Sequence, residues 1–184
     1  MTIALIIIVV IVVLLAIYVI VQYNGLVRLK NRVDAAWAQI DVQLKRRYDL
    51  IPNLVETVKG YAAHERETLD AVITARNAAV SATGPAEQAQ TDNVLTGALR
   101  NLFALSEAYP DLKANQNFLA LQEELTGTEG RIAYARQYYN DSVLSYNTKL
   151  ETFPANVLAN MMKFTPREYF EADDPSRGNV SVQL

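Results

Sequence analysis

From Met1 to Tyr23 the chain carries no charged residue, and Ile3 to Val21 is almost entirely Ile, Val, Leu and Ala. At ~1.5 Å per residue a helix of this length spans ~30 Å, the hydrocarbon thickness of a bilayer, whereas the apolar core of a cleaved signal is only ~7–15 residues. No Lys or Arg precedes the run, and Tyr18 to Tyr23 offers no small-x-small cleavage site. The pattern therefore predicts an uncleaved transmembrane helix, with a buried core helix as the alternative. Past the run, apolar residues recur at helical spacing, Leu26, Leu29, Val33, Trp37, Ile40 and Leu44, with charged residues between them. Only Gly25 interrupts, so the membrane helix is expected to run directly into this helix one, 24–47.

Asp49 and Pro52 predict the next boundary, because Asp caps a helix start and Pro is tolerated in a first turn. Helix two then covers 50–82, from Leu54 and Val55 to Val80. Gly84-Pro85 and Pro110-Asp111 are turn signals that bracket helix three, with Val94, Leu95, Leu99 and Leu102 inside. Helix four has the most regular pattern: Phe118, Leu125, Ile132, Tyr139, Tyr146 and Phe153 lie seven apart. Leu121, Thr128 and Ala135 accompany them, and Val143 and Leu150 take over beyond. This is the seam of a coiled coil or bundle, and Pro154 ends it. Gly127 and Gly130 inside that helix predict a close helix approach or a local break, since Gly there costs ~1 kcal/mol relative to Ala.

No strand pair, tandem repeat or low-complexity segment is visible. The expected fold is all-α, an N-terminal transmembrane helix continuing into an antiparallel up-and-down four-helix bundle. The expected segments are an anchor at 1–23, the bundle at 24–153, a short amphipathic segment at 154–170 and a solvated tail at 171–184. With alternating helix direction, helix four returns to the bilayer, which brings the apolar stripe Val157, Leu158, Met161, Met162 and Phe164 near it. That stripe has two readings: it caps the bundle end, or it rests on the membrane interface.

Charge adds an orientation. Arg28, Lys30 and Arg32 precede the first acid, Asp34, and cytoplasmic flanks are the ones enriched in Lys and Arg. The expectation is a short N-terminus outside and a cytoplasmic bulk. The net charge of −3 hides a basic collar over 24–47, where six cations, including Lys45, Arg46 and Arg47, face only Asp34 and Asp41. The remainder is acidic, which argues against nucleic acid as a partner. Cysteine is absent, excluding disulfides, thiolate metal sites and a lipidated Cys anchor.

Candidate chemistry is sparse. The one histidine, His64 in His64-Glu65-Arg66-Glu67-Thr68, starts like a zinc-protease helix but has Thr68 where the second ligand should stand. No Glu has a His three residues later, so a di-metal bundle site lacks its ligands. There is no Gly-rich phosphate loop and no Gly-x-Ser-x-Gly. Tyr139 and Tyr146 are expected in the core, with Asn140, Asn147 and Asp141 as partners for their hydroxyls. No catalytic, cofactor-binding or metal residue is nominated, and no cofactor or small-molecule substrate is expected.

Several segments together resemble the LemA family of bacterial membrane proteins. They are Tyr23-Asn24-Gly25-Leu26-Val27-Arg28-Leu29-Lys30-Asn31-Arg32-Val33, Ala36-Trp37, Ile40-Asp41-Val42-Gln43-Leu44-Lys45-Arg46-Arg47 and Asp49-Leu50-Ile51-Pro52-Asn53-Leu54-Val55. Gln122-Glu123-Glu124-Leu125, Gly127-Thr128-Glu129, Arg131-Ile132, Tyr139-Asn140, Tyr146-Asn147 and Phe153-Pro154 follow in the family's order. The resemblance implies one membrane helix and a helical bundle, and supplies no established activity, cofactor or ligand. On these grounds the expected function is non-enzymatic: a scaffold or partner-recruiting bundle at the bacterial inner membrane. Its partners are then the lipid bilayer, other copies of itself or other membrane proteins. A membrane-state sensor is the second reading, and an enzyme using Glu129, Arg131 and nearby tyrosines the third.

Overall fold

A computed structural model describes residues 1–171. The expected solvated tail therefore lies outside the described residues, apart from Glu171. Among the described residues six helices follow in order: α1 (Thr2–Lys59), α2 (Arg66–Ser81), α3 (Gly84–Ser106), α4 (Pro110–Lys113), α5 (Gln116–Glu151) and α6 (Ala155–Met161). The described residues contain no strand. The fold is all-α, and its apolar N-terminal helix continues unbroken into the helical body, as the hydrophobic pattern requires. Gly25 does not interrupt α1.

The described residues form two compact units, Met1–Gln39 with Gln137–Glu168, and Ile40–Arg136 with residues 169–171. In the second unit the C-terminal part of α1 packs with α2, α3 and the first half of α5. Arg46 of α1 pairs with Glu124 of α5, and Asn115, just before α5, donates to the Tyr61 hydroxyl just after α1. The two segments are thus antiparallel. Ile51, Leu54, Val58, Leu95, Leu102 and Phe118 are fully buried there, and the Phe103 and Phe118 rings meet edge to face at 6.1 Å between centroids. Burying such side chains stabilises the unit by ~1.5–3 kcal/mol each.

The expected helix boundary at Asp49 and Pro52 is not there: α1 runs through both and stops at Lys59. Pro52 has no N–H to give the carbonyl of Tyr48 four residues earlier, which ordinarily makes an interior Pro a helix breaker. Here Arg76 Nε of α2 donates to that carbonyl at 3.3 Å. A tertiary donor replaces the missing helical one. The real break is the turn 60–65, after which α2 covers only the second half of the expected helix two. Gly84 opens α3 at φ +79°, a conformation that suits glycine.

In the first unit the N-terminal part of α1 packs against the C-terminal half of α5. The Trp37 and Tyr139 rings lie 5.5 Å apart. Leu26, Val33, Ala36, Tyr139, Val143 and Tyr146 are buried. The seven-residue seam of α5 holds from Phe118 to Tyr146, but Phe153 leaves it and is 77% exposed. The reason is local, since α5 ends at Glu151 and Phe153 lies beyond the helix that would keep it in register. Gly127 and Gly130 mark neither a close approach nor a break. Both sit on the exposed face of a continuous α5, and an added Cβ would meet nothing within 4 Å at either.

Candidate functional site

The apolar run at the start of α1 is bare. None of its most hydrophobic window is buried against the rest of the protein, which removes the core-helix alternative. A run of exposed Ile, Val and Leu this long is out of place in water and matches a bilayer core in length.

At the foot of this run the first unit carries a strap. After α6 the chain turns back at Lys163, whose φ of 58° lies in the left-handed region. Lys163 N–H donates to Asn160 O and Phe164 N–H to Ala159 O, the paired bonds of a Schellman cap. Phe164 then meets Tyr23 edge to face at 6.1 Å. The following residues lie along α5, held by its side chains. Tyr146 OH donates to Thr165 O, Tyr139 OH donates to Glu168 O, and Asn147 donates to Arg167 O while accepting from Arg167 N–H. Arg167 also reaches Asp34 of α1 at 2.8 Å. The seam tyrosines are therefore core residues, as expected, but their hydroxyls find backbone carbonyls of the strap rather than Asn140, Asn147 or Asp141. Burial pushes the Tyr139 phenol up to about 12, with Arg167 pulling the other way.

The amphipathic segment divides between its two readings. Leu158 and Ala159 are buried against the unit, while Val157 and Met161 remain 58% and 68% exposed. Met162 is also exposed.

The second unit holds a polar cluster that the sequence reading missed. Gln88, Asp92 and Thr96 stand four apart on α3 and face Arg47 and Tyr48 of α1. Arg47 donates from Nη1 to Asp92 Oδ1 and from Nη2 to Thr96 Oγ1, both at 2.9 Å. Thr96 Oγ1 donates in turn to the Asp92 carbonyl, and Gln88 Nε2 donates to the Tyr48 hydroxyl and to Ala79 O. Arg47 is only 3% exposed. Burial raises the Asp92 carboxyl above its ordinary value, and Arg47 opposes that shift. The signal was legible: Leu44, Arg47, Ile51, Leu54 and Val58 run at spacings of three and four, so Arg47 occupies a core position. The expected boundary at Asp49 hid it.

Beside Arg47 lies a cavity of about 170 Å³ lined by residues including Arg100, Phe103 and Glu129. That is below the ~300 Å³ at which small-molecule pockets begin. The Arg47 and Asp92 groups are already matched to each other. Glu129 and Arg131 form no site together: Glu129 lines the cavity, and Arg131 approaches Glu124 at 3.8 Å. His64 lies exposed in the turn between α1 and α2 rather than on a helix. Among the described residues no three His, Asp or Glu converge as metal ligands would.

An exposed apolar helix running on into an all-helical body defines a membrane-associated helical protein. The LemA family model matches residues 36–184, and the chain belongs to the LemA family. It is 30% identical to Protein LemA of Metamycoplasma hominis over 163 residues, covering 86% of this chain and 73% of that one. It is 26% identical to Magnetosome protein MamQ 2 of Paramagnetospirillum magneticum, covering 83% of this chain and 65% of the relative. Magnetosome protein MamQ of Magnetospirillum gryphiswaldense matches at 25%, over 82% of this chain and 65% of its own length.

Proposed function

We propose that this protein is a non-enzymatic scaffold of the bacterial inner membrane, with its N-terminus outside and its helical body in the cytoplasm, where it self-associates or recruits other membrane proteins. The observation that carries this reading is the continuity of α1. One helix supplies both the bare apolar run and the buried residues Leu26, Val33 and Ala36 that follow it in the first unit, with no flexible linker between them. An enzyme tethered to a membrane needs no such continuity, whereas a scaffold uses it to hold its first unit directly at the bilayer. Arg28, Lys30 and Arg32 just beyond the run support the cytoplasmic orientation. Some relatives are named for a magnetosome rather than for a reaction, which fits a part in an assembly.

Crosslinking of the full chain in native membranes tests the proposal. Discrete bands of multimers or of partner complexes are expected. Monomers alone, under conditions that crosslink a known oligomer of the same membrane, would overturn it.

A further inference from the structure

We infer that α6 is a second membrane contact, an interfacial helix that lays Val157 and Met161 into the headgroup region beside the anchor. The inference rests on the reading of the apolar run as membrane-spanning, but not on self-association.

Three observations point the same way. The first is polarity: α6 buries Ala155, Leu158 and Ala159 on one side and leaves Val157 and Met161, four apart, on the other, with Phe153 and Met162 flanking them. Apolar side chains grouped on the exposed side of a helix and at its ends mark a surface suited to membrane or protein contact. The second is position. Phe164, three residues past the end of α6, is in ring contact with Tyr23, where the uncharged run ends. A tyrosine at the end of a membrane helix marks the level of the membrane–water interface, and Tyr23 brings Phe164 to that level. The third is the residue that caps α6. Position 163 has the left-handed backbone for which glycine is the ordinary choice, and a side chain there costs ~1–2 kcal/mol. The residue is Lys163, exposed. An exposed cation at that position, in the same unit as Arg28, Lys30 and Arg32, suits a surface of anionic lipid.

A seven-residue helix alone would bind a membrane weakly, because it buries only a few side chains. Here it does not bind alone. The anchor holds it at the surface, so the contact is effectively intramolecular and weak apolar attraction suffices. A second copy of the chain is the competing occupant of the same face, and the experiment separates the two.

The chain has no cysteine, so Val157→Cys, Met161→Cys and, as a comparison at the polar edge of the same exposed face, Asn160→Cys each place one environment-sensitive fluorophore. The full-length variants are reconstituted in vesicles of phosphatidylcholine and phosphatidylglycerol that contain lipids spin-labelled at a shallow or a deep acyl position. The expected result is blue-shifted emission at 157 and 161, with quenching by the shallow label roughly twofold or more above that at 160 and above that by the deep label, since interfacial helices lie only ~5–10 Å into the headgroup boundary. Quenching at 157 and 161 by aqueous iodide to the level of 160 would overturn the inference. So would protection from both quenchers together with disulfide formation between unlabelled Val157→Cys copies, which would make the face a contact between chains and leave the scaffold proposal standing. Lipid quenching at 157 and 161 in a protein that crosslinks only as monomer would retain this inference and discard the scaffold.

Discussion

Arg47 shows how one side chain decides a local structure. Its position in α1 belongs to the apolar stripe, and a guanidinium there is tolerated only because Asp92 and Thr96 of α3 meet it with bonds of 2.9 Å. Removing one partner leaves the other charge buried without compensation, which typically costs ~3–5 kcal/mol, whereas replacing both by apolar residues is often neutral or stabilising. Arg47→Met is therefore expected to destabilise the protein by ~3–5 kcal/mol in denaturant unfolding, and the double change Arg47→Met with Asp92→Leu to recover most or all of that loss. A single variant as stable as the parent would mean that the pair contributes nothing. The charge pattern of the chain misleads at this point, because Lys45, Arg46 and Arg47 read as one basic cluster although each has a different fate. Lys45 is exposed, Arg46 pairs with Glu124, and Arg47 is neutralised in the core.

At the scale of the element, α1 outlasts its own proline. The carbonyl of Tyr48 loses its helical donor at Pro52 and gains Arg76 from α2. Arg76→Ala is expected to cost ~1–3 kcal/mol, the usual penalty of an unsatisfied buried acceptor. In a Pro52→Ala background the helix supplies the N–H itself, and the cost of Arg76→Ala should fall by ~1 kcal/mol or more. Thermal unfolding of the four proteins of this cycle measures the coupling, and strict additivity would show that Arg76 does not serve that carbonyl. Periodicity made α3, the seam of α5 from Phe118 to Tyr146 and the passage of α1 through Gly25 legible, whereas α4 showed only as a turn signal at Pro110-Asp111. The exact ends were not legible. Pro52 breaks a helix by its local chemistry, and the donor that rescues it lies twenty-four residues away in sequence, on another helix.

For the whole molecule, three buried phenols link stability to alkaline pH. Tyr48, Tyr139 and Tyr146 are each raised above the ordinary tyrosine value of 10.0, with burial as the main cause. A group whose folded value is raised keeps its proton longer in the native protein than in the unfolded chain. Its contribution to stability is full below pH 10 and is lost as pH rises toward the folded value, about 12 for Tyr139. The full chain in detergent is therefore expected to lose stability as pH rises above 10, with Tyr48, Tyr139 and Tyr146 ionising only as the helices that bury them unfold. Absorbance at the phenolate band, followed beside the helical circular dichroism, checks this. Ionisation of these three near pH 10 with the helices intact would contradict it.

What the sequence determined by itself is what depends on local periodicity and on composition: an apolar run of bilayer length, helices throughout, a seven-residue seam on α5, and membership of a family. These follow because the spacing of apolar side chains around 3.6 residues per turn is written residue by residue. Tertiary structure decided what depends on a partner distant in the chain. The Tyr139 and Tyr146 hydroxyls chose backbone carbonyls of the strap over the nearby asparagines, Arg47 became a core residue because Asp92 stands opposite, and α6 kept Leu158 inside while leaving Val157 and Met161 outside. A buried polar group or an apolar face is satisfied by whatever the fold brings to it, and that choice is made in space rather than along the chain.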